Sequence, residues 1–203
     1  FTTRRFFHTW TLIRNDRGIQ SPKDLEGKKV GVPEYQQTAA LWNRGALENE
    51  FGVDLTKIEW FMERGPEISH GGATGFQPPP GIRLNQIPPD KNIGMMIDSG
   101  ELDATLLYLI GGNLVDRSTI DLDNHPYVQR LFPDPPAEGA RYFQKSGVFP
   151  INHGMVLRRS LHEEHPWLAI NIVKAFAEAK DRAAKLGRET FAAQSDMGLL
   201  SSE

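Results

Sequence analysis

Ser21-Pro22-Lys23-Asp24-Leu25-Glu26-Gly27-Lys28-Lys29-Val30-Gly31-Val32-Pro33-Glu34-Tyr35-Gln36-Gln37-Thr38-Ala39-Ala40 is the stretch that decides the fold. Ser21 with Asp24 three residues on forms a capping-box pair, and Pro22 stands at the first helical position. Gly27 closes that turn. Residues 29–32 read as a short strand, and the polar loop after them opens a helix over residues 38–50 that stops at Gly52. Leu41, Trp42, Ala46 and Leu47 recur at helical spacing and give that helix its apolar face. Turn, strand, loop and helix in this order aim backbone N–H groups and a helix dipole at the strand's tip, where an anion is stabilised. A small carboxylated molecule is the ligand class this favours.

Bulk properties narrow the choice further. The 203 residues suffice for one large domain or two small lobes, and 39% hydrophobic with 24% charged residues is ordinary globular composition. A net charge of −3 and a pI of about 6.1 provide no basic field for a nucleic acid backbone. The absence of cysteine excludes disulfides and thiolate metal sites. No apolar run approaches the roughly 20 residues that span a bilayer. Phe1-Thr2-Thr3-Arg4-Arg5-Phe6-Phe7-His8 has neither an initiator Met nor a signal-peptide plan, so the chain reads as a fragment whose start says little about location.

Working outward, residues 6–13 are rich in aromatic and β-branched types and predict a strand, followed by a polar turn. A second strand is expected over 57–62. Residues 65–89 are Gly/Pro-rich and read as one long loop, which includes Gly71-Gly72-Ala73-Thr74-Gly75. Asp90 is expected to cap a helix through residue 99, and 102–109 forms a strongly apolar strand of the kind covered on both faces. The segment holding Pro126, Pro133, Pro135 and Pro136 reads as irregular. A late strand covers 148–157. The last helix runs from Pro166 to residue 186, with Leu168, Ile172, Ala175, Phe176, Ala179 and Ala183 on one face. Alternating strands and helices make the fold class α/β.

Two segments carry a family resemblance. Lys28-Lys29-Val30-Gly31-Val32-Pro33-Glu34-Tyr35-Gln36 followed by Thr38-Ala39 is one. The other is Phe149-Pro150-Ile151-Asn152-His153-Gly154-Met155-Val156-Leu157-Arg158-Arg159, with His165-Pro166-Trp167 and Ala175-Phe176-Ala177-Glu178-Ala179-Lys180 beyond it. They resemble the 4,5-dihydroxyphthalate decarboxylase family, which is similar to solute-binding proteins of the type II periplasmic-binding-protein-like fold. Ser99-Gly100-Glu101-Leu102-Asp103-Ala104 is shared with that wider superfamily. The resemblance implies two α/β lobes with a ligand cleft between them, the first lobe being incomplete in this chain. On that reading residues 1–20 are a first-lobe and crossover segment, 21–145 the second lobe, and 146–203 a crossover strand and the return to the first lobe.

The candidate site follows from residue chemistry and from the resemblance together. Tyr35, Gln36 and Thr38 lie between a strand end and a helix start, the edge at which α/β sheets bind ligands. Alternatively Thr38 is only a cap and Tyr35 only packing. His153, flanked by apolar residues, is either a satisfied core residue or the proton donor, since imidazole is suited to proton delivery at neutral pH. Asn152 would hold the ring or a carboxylate oxygen. His70, opening the glycine loop, is the second candidate donor. Glu63 and Arg64 follow the second strand, and Arg64 suits a carboxylate clamp. Arg5 and His8 match a basic-aromatic-His pattern the resemblance implies, although Phe7 stands where a second basic residue is expected. Tyr108, at the end of the third strand, offers a phenol to a substrate hydroxyl. His162 and His165 are three apart, but Pro166 breaks the helical register, so no metal site is assigned. No nucleotide or phosphate-loop fingerprint and no other cofactor motif is present.

Two functions remain open at this point. One is a carboxy-lyase acting without an oxidant on a phthalate-like hydroxylated aromatic acid, expected in the cytoplasm. The other is a non-catalytic, periplasmic solute-binding protein that delivers a small aromatic or other organic anion to an ABC permease.

Overall fold

The structure, a computed structural model, describes residues 3–69, 75–108 and 117–199. The chain divides into two compact units, residues 1–154 and residues 155–203.

The first unit starts with β1 (Thr3–Arg4), a 3-10 turn over Phe7–Trp10, and β2 (Leu12–Arg14). Where sequence predicts a strand over 6–13, consecutive Phe7, His8 and Thr9 are all buried. This run closes as a turn in which the Thr9 and Thr11 hydroxyls donate to Phe6 O and His8 O, and strand pairing begins only at Leu12. Asp24 closes the next turn, Pro22–Leu25, by accepting from the Ser21 N–H at 2.8 Å, as the capping-box pattern requires. β3 (Lys29–Val32), α1 (Thr38–Phe51) and β4 (Glu59–Met62) then form a strand–helix–strand unit whose strands are parallel. Gly52, at φ 65°, ends α1 in the left-handed conformation that glycine takes at least cost.

β5 (Arg83–Gln86) pairs parallel with β4, inside the segment read from sequence as loop. α2 (Ile93–Asp98) is capped by Asn92, whose Oδ1 accepts from the Met95 N–H at 2.9 Å, in place of the expected Asp90. β6 (Ala104–Thr105) is the hydrogen-bonded core of the expected third strand, and β7 (Val128–Arg130) follows. α3 (Pro135–Ser146) occupies sequence read as irregular. Asp134 accepts from the Ala137 N–H at 2.9 Å, and a proline at the first helical position is an initiator rather than a breaker. β8 (Ile151–His153) pairs antiparallel with β1.

Among the described residues the main sheet has six strands in the order β5-β4-β3-β6-β2-β7. β2 runs antiparallel to both its neighbours, while β3 is parallel to β4 and β6. The period-2 alternation of β3 separates two apolar clusters. Val30 and Val32 join Leu47, Trp60 and Leu106 on one face. Gly31 points to the other, where a Cβ would stand 3.0 Å from Leu102 and 3.3 Å from Ile93, so glycine permits the close seating of α2. Glu63 is buried here. Its carboxylate accepts from the backbone N–H groups of Ile93 and Arg117, both at 2.7 Å.

Two buried polar groups tie helices to this sheet. The Asn43 amide nitrogen on α1 donates to Phe7 O (3.1 Å), Thr11 Oγ1 (3.1 Å) and Leu106 O (2.9 Å). His8 reaches Glu138 on α3 at 3.1 Å, with Phe132 edge-on at 5.4 Å and Tyr142 at 4.9 Å. Burial lowers the His8 pKa and outweighs the opposing hydrogen bond from Glu138.

The second unit contains α4 (Arg159–Glu164) and the 30-residue α5 (Trp167–Asp196), which runs through Gly187 and past the expected end. Leu168 and Ile172 are half-buried, whereas Trp167, Ile170, Val173 and Phe176 are exposed. Among the described residues no helix is long and apolar enough to cross a membrane.

Two stability predictions follow from these ties. Asn43→Ala leaves Phe7 O and Leu106 O without their buried donor and is expected to cost about 2–4 kcal/mol in urea unfolding; a loss under about 0.5 kcal/mol would contradict the role assigned to this amide. Burial holds the His8 pKa in the fold below its unfolded value near 6.5, so the unfolded chain takes up the proton first as pH falls. Stability should therefore fall as pH drops from 7 to 5.5, and His8→Gln should flatten that decline when unfolding midpoints are compared across the range.

Candidate functional site

The carboxyl ends of β3 and β6, which are parallel neighbours, meet at one edge of the sheet, where open α/β folds bind ligands. A cavity of about 580 Å³ opens there. Gln36, Gln37, Thr38 and Ala39 line it from the loop after β3 and the start of α1, and Leu107 lines it from beyond β6. Phe7 and Trp10 add an aromatic wall, while Thr3, Arg5, Asn152 and His153 come from the β1–β8 ribbon and its continuation.

Each wall is anchored. The Trp42 indole N–H on α1 donates to Ile151 O at 2.8 Å and holds β8. The Arg5 N–H donates to Pro150 O at 3.1 Å, and its guanidinium lies 4.8 Å from the Trp10 ring centre. α1 begins after Gln37 with no side chain capping it, which leaves its first-turn N–H groups for another acceptor. The Oε1 atoms of Gln36 and Gln37 are buried without hydrogen-bond partners among the described residues. His153 Nδ1 stands 2.8 Å from Thr3 Oγ1 and 3.1 Å from Asn152 Nδ2.

Arg5, Gln36, Thr38, Asn152 and His153 are thus brought to one cavity. Asn152 touches His153, an arrangement that suits steering the imidazole as much as holding a ligand. Four other predicted site residues do not line this cavity. Tyr35 is 3% exposed, packs edge-on against Trp60 at 5.4 Å, and carries the Arg44 guanidinium 3.6 Å above its ring. Arg44 also donates to the Tyr35 carbonyl. Burial raises the phenol pKa. His8 faces α3 as described. Arg64 is buried against Glu34 at 3.1 Å, because a buried cation needs an anion beside it. Tyr108 donates to Ile120 O at 2.7 Å and lines a separate hollow with Asp123 and Arg130. His70 lies outside the described residues.

The Glu34–Arg64 pair still serves the site from behind. The Gln36 amide donates to Glu34 Oε1 at 2.7 Å and to Ser69 Oγ at 2.8 Å, which fixes the loop that carries it. Thr3, Phe7, Trp10, Gln37 and Leu107 were not expected from sequence. Gln37 adjoins two predicted residues, and Phe7 and Trp10 stand in the aromatic run; nothing local signals Thr3, whose partner is 150 positions away. Among the described residues, no three His, Cys, Asp or Glu side chains gather as a metal-binding group.

No family model matches the chain. Curated relatives do. A 4,5-dihydroxyphthalate decarboxylase of Comamonas testosteroni is 37% identical over 181 residues, 89% of this chain and 52% of that protein. A 4,5-dihydroxyphthalate decarboxylase of Pseudomonas putida is 35% identical over 144 residues, 71% of this chain and 53% of that protein. The chain therefore spans about half the length of the curated relatives it matches. At this identity, over most of its residues, the chain belongs to the 4,5-dihydroxyphthalate decarboxylase family.

Proposed function

We propose that the cavity at the ends of β3 and β6 binds a hydroxylated aromatic dicarboxylate and removes one carboxylate as carbon dioxide. The observation that carries this reading is the presence of Arg5, an aromatic wall and His153 around one cavity, in a chain whose relatives bear this enzyme's name. Arg5 and the first N–H groups of α1 suit the carboxylate that is retained. Phe7, Trp10 and Leu107 suit the ring and lower the local dielectric, which strengthens both polar contacts.

The chemistry needs a proton at the ring carbon bearing the departing carboxylate. A ring hydroxyl ortho or para to that carbon supplies electron density. His153, as imidazolium, gives its proton to the carbon, and a C–H bond forms. The bond to the carboxylate then breaks, its electron pair restores the aromatic ring, and carbon dioxide leaves. His153 ends neutral and regains a proton from water.

On the same reading, the fold is type II periplasmic-binding-protein-like. Residues 21–145, joined in the main sheet by β2, form one lobe, and the rest of residues 1–20 and residues 146–203 belong to crossovers and the other lobe. The relatives' names favour an enzyme, with a cytoplasmic setting, over a carrier working with an ABC permease.

The test is incubation of the intact protein with 4,5-dihydroxyphthalate, with carbon dioxide and 3,4-dihydroxybenzoate measured. Turnover is expected, His153→Gln should lower kcat by about 10²-fold or more, and Arg5→Met should raise KM by about 10-fold or more. Tight binding with no carbon dioxide release would overturn the lyase reading and restore the carrier.

A further inference from the structure

The β1–β8 ribbon places Thr3 directly opposite His153 in its antiparallel register. Both side chains line the cavity, and the Thr3 hydroxyl stands 2.8 Å from Nδ1 of the imidazole. The Asn152 amide nitrogen stands 3.1 Å from Nδ1 and 3.4 Å from Nε2, close to both, so the Thr3 hydroxyl is what distinguishes them. We propose that Thr3 is a positioning residue that occupies Nδ1 of His153 and leaves Nε2 as the nitrogen that exchanges a proton with the bound molecule. This rests on the decarboxylase reading given above.

The argument is one of hydrogen-bond capacity. An exposed imidazole is free to turn about its last side-chain bond, which exchanges Nδ1 with Cδ2 and Nε2 with Cε1 and so moves both nitrogens away from their partners. A hydroxyl is the neighbour that tolerates every protonation state of Nδ1, because it accepts from N–H and donates to a bare nitrogen. With the ring charged, Thr3 accepts from Nδ1–H. When Nε2 has delivered its proton to the substrate carbon, the neutral ring retains Nδ1–H and the same bond persists. No reorientation is needed between proton delivery and recharging from water. The second partner of a histidine fixes which nitrogen reacts, and Thr3 supplies it from a strand 150 positions away in sequence.

The ribbon makes the placement dependable despite its shortness. Two-stranded ribbons are marginal alone, but the Trp42 N–H to Ile151 O and Arg5 N–H to Pro150 O bonds hold the start of β8, just ahead of the pair.

The experiment uses Thr3→Val, Thr3→Ser and His153→Gln in the intact protein. Thr3→Val keeps the β-branched shape and removes the hydroxyl. It is expected to lower kcat about 5- to 10-fold with KM changed less than 2-fold, and Thr3→Ser to restore kcat. Nitrogen-15 spectra of the imidazole, assigned by loss of the His153 signals in His153→Gln, should show a fixed tautomer in the parent and Thr3→Ser proteins and a mixture in Thr3→Val. An unchanged tautomer and unchanged kcat in Thr3→Val would overturn the proposal while leaving His153 as proton donor. Full turnover by His153→Gln would instead refute proton delivery by His153, and the spectra would still report whether Thr3 holds the ring.

Discussion

The amide of Asn43 is the interaction on which the rest of the molecule depends. From the buried face of α1 it binds the backbone of the Phe7–Trp10 turn, the hydroxyl of Thr11 ahead of β2, and the carbonyl of Leu106 beyond β6. Each of these leads within a few residues to a cavity wall: Phe7 and Trp10 in one case, Leu107 in another. One residue earlier, Trp42 fixes β8 and with it Asn152 and His153. The first turn of α1 is itself a wall. A single helix therefore assembles side chains drawn from residues 3–10, 36–39, 107 and 152–153, and it does so through polar contacts that are costly to leave unmade in a dry interior.

The part of the fold legible in the sequence is the part whose signals are local. Ser21 with Asp24, Gly27, the Val-Gly-Val strand and Gly52 are separated by at most a few positions from the elements they bound, and β3, α1 and β4 follow from them. The misread elements had misleading or silent local signals. Pro135 and Pro136 read as breakers, yet behind an Asp134 cap they open α3. β5, Arg-Leu-Asn-Gln, shows no apolar alternation and is defined by its pairing with β4 at the sheet edge. The run at 6–13 has strand composition, but its first half is a turn held between α1 and α3 through Asn43 and Glu138, and only Leu12 onward pairs as strand.

The same division holds for the site. Residue type marks polar and titratable groups, but it does not distinguish those that line the cavity from those already satisfied within the protein. Gln36 and His153 converge on the cavity, whereas His8, Arg64 and Tyr108 have partners in Glu138, Glu34 and Ile120 O. His8 and Glu138 are 130 positions apart, and Arg64 and Glu34 are 30 apart, so neither pairing leaves a local trace. Tyr35 is the instructive case. It sits in the loop that lines the cavity, yet its ring turns inward under Arg44, because an aromatic body beside Trp60 gains more from burial than from water.

That inward turn bears on the electrostatics of the cavity. Arg44 is buried, donates to the Tyr35 carbonyl, and has its pKa drawn down by burial. The nearby Glu34 carboxylate is offset by Arg64. A fixed positive charge therefore stands against the Tyr35 carbonyl, in addition to Arg5 in the cavity lining and the positive end of α1. Charges held in low dielectric act over longer distances than solvated ones, and their preorganisation means that no ordering cost falls at the moment of binding. On the proposed function, an aromatic acid bound in this cavity would find these positive groups already fixed in place. On that function, the β1–β8 ribbon and its continuation carry both Arg5 and His153, and the start of α1 adds the positive end of its dipole from a second element.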